Sequence, residues 1–253
     1  MENQSYYFTA IKGEFLVERV PTGIEGLDKL VQGGIPKGAS VLLSGSAGTG
    51  KTILALQYLY NGAVKYNEAG VYITFEGSPK TIAWDMESFG WDFKKLQDKS
   101  LLKIYRLNLT ATSPALAEQQ IEAELRIISR MVKELNAKRL VVDSTTAFAA
   151  RLGGEAAVRN ILYNFCDSLK QLECTSLLTT ETGSGRTDFS AFGVEEFVSD
   201  GIIAMYFTPP NRSIHVRKMR GTSHSKKVHP FEITEKGITI KDKDEVLWEA
   251  LSK

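Results

Sequence analysis

The sequence predicts an α/β fold, a mostly parallel twisted sheet flanked by helices, with antiparallel strands toward its C-terminal end. Three observations lead there. From residue 39 to about 180, strand-like and helix-like segments alternate, and such alternation builds a parallel sheet with helices on both faces. The run Gly45-Ser-Ala-Gly-Thr-Gly-Lys-Thr52 stands between an apolar β-type stretch, 39–44, and a helical stretch from Ile53, the order of a strand–glycine loop–helix unit. Beyond about residue 198, strand-like runs follow one another with no helix between them, a pattern that favours hairpin pairing.

Taken in order, Val71–Phe75 reads as a buried strand, followed by a helix from about Lys80 to Ser88. Residues Leu102–Leu107 alternate in polarity and predict another strand. In Ala115–Asn136 the apolar positions Ile121, Leu125, Ile128, Val132 and Leu135 recur with a helical period. Arg139–Asp143 is a short strand ending in an acid. Glu155–Leu172 is a helix with Ile161, Leu162, Phe165, Leu169 and Leu172 on its core face, and Cys174–Thr179 is a further strand. The late strands are Ser199–Phe207, Ser213–Met219, Pro230–Ile233 and Ile238–Lys241, with Pro209–Arg212 as a hairpin turn. Residues 1–14 and 242–253 read as peripheral to a core of about 15–241, the latter as a short helix. With no repeat and no linker, residues 1–253 read as one domain.

Composition narrows the class. Thirty-one Lys and Arg against 30 Asp and Glu leave a net charge of +1, so nothing at whole-chain scale demands nucleic acid or an acidic membrane. The two cysteines, Cys166 and Cys174, lack metal-ligand spacing. No apolar run reaches the length of a membrane span, and the first residues lack a signal-peptide pattern. The expectation is a cytoplasmic protein without membrane contact.

The chemistry begins at 45–52, a complete G-x-x-x-x-G-K-[ST] pattern. Gly45, Ser46, Ala47, Gly48, Thr49 and Gly50 would curl so that backbone N–H groups face a β-phosphate, aided by the positive end of the new helix. Lys51 would reach the β- and γ-phosphates, and the Thr52 hydroxyl would hold Mg²⁺. Hydrolysis needs two more parts. Asp143, closing the apolar run Leu140-Val-Val, suits the acid that holds the Mg²⁺ shell. Glu76, at the end of the strand after the loop's helix, is placed to polarise an attacking water as general base. Thr179, Thr180 and Glu181 end the strand after that of Asp143 and form a polar cluster that could sense a γ-phosphate.

Further motifs carry a family resemblance. Pro21-Thr-Gly-Ile-Glu-Gly-Leu-Asp-Lys-Leu30 and Gly33–Gly38 resemble the lead-in of RecA-like ATPases of the KaiC and RadA group. Val71–Glu76, Ser88-Phe-Gly-Trp91, Val194-Glu-Glu-Phe-Val-Ser-Asp-Gly201 and Lys218-Met-Arg-Gly-Thr-Ser-His224 narrow it to the KaiC-like family of RecA-superfamily ATPases. The chain looks like a single-domain member, similar to the N-terminal ATPase domain of the double-domain clock protein. The resemblance implies a RecA-like P-loop NTPase fold, ATP and Mg²⁺ as cofactors, and Lys51, Glu76 and Asp143 as the catalytic set, with Thr52 and Asp143 on the metal. It implies that Ser88 lies near the adenine. It also implies a hexameric homo-oligomeric ring with ATP between neighbours. Lys218, Met219, Arg220, Thr222 and His224 belong to the motif that reaches the neighbour's nucleotide, and Thr234 and Glu235 match positions of the same kind. A cation supplied across an interface neutralises charge on the γ-phosphate, as an arginine finger does.

Two positions depart from the family pattern. Gly77 stands where many members carry a second acid, and Glu196-Phe197 stands where the clock protein's self-phosphorylating domain has Ser-Thr. Hydrolysis coupled to conformational change or partner binding is the leading expectation. One alternative is a RadA-like single-stranded DNA-binding recombination or repair accessory, using Arg151 and Arg186 on phosphates and Phe189 against a base. The balanced charge and the acids in those loops disfavour it. Another is a nucleotide-gated signalling scaffold with little turnover.

Overall fold

In the computed structural model, the residues described are 10–11, 14–15, 17–110, 113–146, 155–182 and 189–247. Two small ribbons precede the main sheet: β1 (Ala10–Ile11) with β2 (Glu14–Phe15), and β3 (Arg19–Val20) with β4 (Ile35–Pro36). A single turn of helix, α1 (Leu27–Leu30), lies between β3 and β4. Then come β5 (Ser40–Gly45), α2 (Lys51–Tyr66), β6 (Gly70–Thr74), α3 (Pro79–Glu87), α4 (Phe93–Asp98), β7 (Leu102–Arg106) and α5 (Pro114–Leu135). These are followed by β8 (Arg139–Asp143), α6 (Glu155–Lys170), β9 (Thr175–Glu181), α7 (Val194–Val198), β10 (Gly201–Thr208), β11 (Asn211–Met219), β12 (Val228–Thr234) and β13 (Gly237–Ile240).

The nine-stranded sheet runs β13-β12-β11-β10-β5-β9-β8-β6-β7. Strands β10, β5, β9, β8, β6 and β7 are mutually parallel, and β11, β12 and β13 continue the sheet antiparallel. This is the mostly parallel α/β sheet with antiparallel C-terminal strands that the alternation predicts. Strand β5 leads one way, to β6, while β9 leads back across β5 to β10. The switch point therefore falls at β5 and β9, where open α/β sheets bind ligands at the strands' carboxyl ends.

Successive residues of a strand face opposite sides, and the two cores divide accordingly. Val41, Leu43, Tyr72, Val141, Leu177 and Ile203 join α2, α3 and α4 on one face. Leu42, Val71, Ile73, Leu140, Val142, Leu178 and Ile202 join α5 and α6 on the other. Helix α5 starts on Ser113, whose hydroxyl accepts the Leu116 N–H, with Pro114 next in the first turn, and ends at Asn136 in the left-handed region, all standard helix-end chemistry.

The described residues keep every expected strand and long helix and add short elements. Helices α4 and α7 are absent from the sequence reading because five or six residues are too few to display a period. Asp92 caps α4 by accepting the Lys95 N–H at 2.8 Å. Of the short helix expected over 242–253, residues 242–247 are turn and irregular chain, held at Val246 by a bond from its N–H to Val228 O. The rest lies outside the described residues.

Candidate nucleotide site

The glycine loop leaves β5 under tight steric control. A Cβ on Gly45 would stand 2.4 Å from Met205 O, so only glycine lets β5 run beside β10 here. Gly50 caps α2 at φ +102, a conformation open to glycine and strained for other residues. Ile233 and Ile238, at the ends of the β12–β13 hairpin, come against Gly50, so the hairpin buttresses the loop from outside.

Lys51 is buried and donates to Gly45 O at 2.8 Å and Ser46 O at 2.9 Å. Burial pushes its ammonium below the ordinary lysine value, opposed by the negative charges of Glu181 and Asp143. Thr49 Oγ1 closes the turn onto Ser46 O at 2.9 Å. Thr52 Oγ1 donates to Asp143 Oδ2 at 2.8 Å, so the first turn of α2 and the end of β8 meet. The same carboxylate accepts Tyr72 OH at 2.6 Å through Oδ2 and the Thr179 hydroxyl through Oδ1. Burial, then the Asp143 charge, raises the Tyr72 phenol well above its usual value, so it stays a donor at any physiological pH. Sheet register explains the convergence: Thr74 is opposite Asp143, Val142 is opposite Leu178, and Gly45 is opposite Glu181. Glu76, two residues past Thr74, is exposed at this same carboxyl edge, and the Thr74 hydroxyl accepts its N–H at 3.3 Å.

Tyr72 is the member of this cluster that the sequence reading lacks. Within Val71-Tyr-Ile-Thr-Phe75 it reads as one more core residue; the available signal is that a buried tyrosine hydroxyl requires a partner. Thr180 is drawn inward as well. Its hydroxyl lies 3.2 Å from Thr146 Oγ1 and 3.4 Å from Glu195 Oε1. Glu195 is fully buried, and burial raises its carboxyl above the usual range.

The other expected site residues divide. Ser88 is exposed at the end of α3, its hydroxyl turned to Asp85 O at 2.8 Å. Thr234 and Glu235 form the exposed tip of the β12–β13 hairpin, at the loop's own edge of the sheet, with Thr234 Oγ1 donating to Gly237 O at 3.0 Å. Lys218, Met219, Arg220, Thr222 and His224 lie at the opposite edge. Met219 is opposite Gly201, which is opposite Val41, and the Arg220 N–H donates to Asp200 O. From there to Gly45 is about five strand residues, roughly 16 Å. Lys218 Nζ donates to Ser199 O at 2.7 Å and Glu196 O at 3.1 Å. Desolvation, then the Arg220 charge, lowers its ammonium below the ordinary value. His224 Nδ1 lies 2.9 Å from Ser225 O. The chain thus does not bring these cations to its own phosphate loop.

Of the residues considered for nucleic acid, Arg151 and Arg186 lie outside the described residues. Phe189 is 9% exposed with the Arg217 guanidinium over its ring at 5.6 Å, so its face is covered and the expectation that it offers a ring to a base is not met. At the first departure from the family pattern, a Cβ on Gly77 would come within 3.0 Å of Ile82 Cδ1. At the second, Glu196 Oε1 accepts Phe189 N–H and Ser190 Oγ–H, both at 3.2 Å, and Phe197 is 78% exposed. No helix among the described residues is long and apolar enough to cross a membrane.

Known proteins share this sequence and architecture. The family model described as "ATPase: KaiC" matches residues 20–245. The circadian clock oscillator protein KaiC of Acaryochloris marina is 37% identical over 243 residues, covering 94% of this chain and 47% of its own length. That of Picosynechococcus is 37% identical over 238 residues, covering 91% and 45%. The chain spans about half the length of the curated relatives it matches. The crystal structure of a KaiC-like protein from the hyperthermophilic archaeon Pyrococcus horikoshii superimposes with a TM-score of 0.80 at 39% identity, covering 89% of this chain and 99% of that one. With the RecA-like sheet, the glycine loop on β5 and the acid at the end of β8 all in place, this chain belongs to the KaiC family of ATPases.

Proposed function

We propose that this chain binds and hydrolyses ATP with Mg²⁺ at sites shared between neighbouring subunits of a ring-shaped homo-oligomer, and that turnover drives a change in ring shape or partner affinity. Residues 15–241 form one ATPase core in this proposal. The observation that carries it is the division of the motif residues between two edges of one sheet. Loop, acid and base stand at the carboxyl edge, whereas Lys218 and Arg220 stand about 16 Å away along the strands, within reach of a nucleotide only on another subunit.

At the carboxyl edge, the loop N–H groups and Lys51 would bind and orient the phosphates. Burial lowers the cost of transferring Lys51 from the carbonyls of Gly45 and Ser46 to phosphate oxygens, because it is already out of water. Thr52 and Asp143 fit Mg²⁺: a hydroxyl and a carboxylate oxygen 2.8 Å apart suit a small hard cation that takes its remaining ligands from phosphates and water. When bound, the metal supplies charge neutralisation between the phosphates. Tyr72 and Thr179 hold the Asp143 carboxylate in place by donating to it. Glu76, exposed at the rim, would take the proton of the attacking water, and Arg220 of one subunit would meet the γ-phosphate on the next.

Two measurements test this. Glu76→Gln is expected to lower the hydrolysis rate at least about a hundredfold while ATP still binds; an unchanged rate removes Glu76 from the mechanism. Arg220→Ala is expected to slow hydrolysis about a hundredfold or more, and the molar mass with Mg-ATP should be a multiple of the 28.0 kDa chain. A monomer that hydrolyses ATP at full rate overturns the shared site, and an assembled ring with no turnover favours a nucleotide-gated scaffold.

A further inference from the structure

The motif Val194–Gly201 supplies nothing to the chemistry described so far, yet it contacts both Lys218 of β11 and Arg220 just past that strand's end. Its carbonyls at Glu196 and Ser199 accept the Lys218 ammonium. Its Asp200 holds Arg220 twice. Asp200 O accepts the Arg220 N–H at 2.9 Å, and Asp200 Oδ1 accepts Arg220 Nη1 at 3.1 Å. Asp200 is itself held from three directions. Its N–H donates to Ser40 O at 2.7 Å, its Oδ2 accepts the Ser40 N–H at 3.0 Å, and Lys170 Nζ reaches Oδ1 at 3.2 Å. The carboxylate is therefore tied to the first residue of β5, the strand that ends in the phosphate loop, and to the last residue of α6.

The Arg220 side chain is 62% exposed whereas that of Asp200 is only 21% exposed. An exposed arginine samples many rotamers, and a surface ion pair contributes little to stability. Orientation is another matter. A guanidinium has several donors in one plane, so holding one of them to Asp200 directs the rest outward without using them up. We propose that Asp200 is a positioning residue: it presents the Arg220 guanidinium, across the subunit interface, to the phosphates of the nucleotide bound by the neighbour. This rests on the shared-site reading above.

The test is Asp200→Asn, which keeps the shape and removes the charge. Alone it should lower kcat about tenfold with KM within about twofold, since a misdirected group is missed mainly in the transition state. Co-assembly with Glu76→Gln subunits distinguishes positioning from general damage, because those subunits have an inactive loop site but an intact Arg220. In random one-to-one rings about a quarter of the sites pair a sound loop with a sound arginine, so activity should reach about a quarter of the parental rate. Without complementation it would stay near a twentieth. Asp200→Asn should also change little in an Arg220→Ala background.

A parental rate for Asp200→Asn overturns the proposal. So does a loss that Glu76→Gln subunits fail to restore, when they do restore Arg220→Ala. If Arg220→Ala is not restored either, the shared site itself fails, and the positioning role fails with it. Should Asp200→Asn not assemble, Asp200→Glu carries the same comparisons, since it keeps a charge beside Lys170 and displaces it from Arg220.

Discussion

Arg139 shows how much one side chain can carry. It opens β8 and is wholly buried. Its Nε donates to Glu68 Oε2 at 2.7 Å, and its Nη groups to Tyr58 O at 2.9 Å and Pro21 O at 2.8 Å. Its Cζ lies 4.5 Å from the Tyr58 ring centroid and 5.2 Å from that of Tyr66. Gly62 makes room for it, since a Cβ there would stand 2.4 Å from Nε. Breaking such a pair strands the partner groups, so Arg139→Ala should cost about 3–5 kcal/mol, read from a urea unfolding midpoint. In the sequence Arg139 is indistinguishable from any solvated residue at a strand start, because its partners lie up to 118 positions away. The two cysteines are simpler: both are buried and neither is in a disulfide. Burial pushes Cys166 up to about 12 and Cys174 up to about 11 from an ordinary 9.0. Raised folded values mean that ionisation favours the unfolded chain, so stability is intact below about pH 9 and declines as pH rises through those values. The urea midpoint should fall between about pH 9 and pH 11, and fall less in Cys166→Ala/Cys174→Ala; equal falls in both proteins would show that the thiols do not contribute.

Among elements, the long amphipathic ones were legible to within a residue or two, because their period is a property of the local sequence. The lead-in Pro21–Leu30 was legible only as a family motif, and its physical role emerges from the fold. Asp28 Oδ1 accepts the N–H and the hydroxyl of Thr22, both at 2.7 Å, and Oδ2 accepts the Gly23 N–H at 3.0 Å. This knot presents Pro21 O to Arg139 and keeps β3 against β4. From β3, Arg19 reaches Thr222 Oγ1 at 2.9 Å and Gly221 O at 3.0 Å, so β3 braces the segment after β11. Asp28→Ala leaves three donors without their acceptor and should cost about 2–3 kcal/mol. Faster amide exchange at Thr22 and Gly23 would accompany it; unchanged exchange would mean the knot holds without its carboxylate.

At the scale of the molecule, the nine-stranded sheet separates two groups of motif residues along its strands. Its carboxyl edge gathers Lys51, Thr52, Asp143 and Glu76 from α2, β8 and the chain after β6. Its amino edge gathers Lys218 and Arg220 over Asp200. The Gly45–Thr52 loop, the position of Asp143 at a strand end and the order of elements could be read directly from the chain, because each depends on residues adjacent in sequence or on a local period. The four-way meeting of Thr52, Tyr72, Thr179 and Asp143 could not, nor could the burial of Arg139 or the covering of Phe189. Those depend on strand order and register, which bring together residues separated by 20 to 127 positions in the cluster around Asp143 alone. The distance between the phosphate loop and Arg220 has the same origin. A motif states which groups a reaction needs, whereas only the folded sheet states which of them one subunit can bring together.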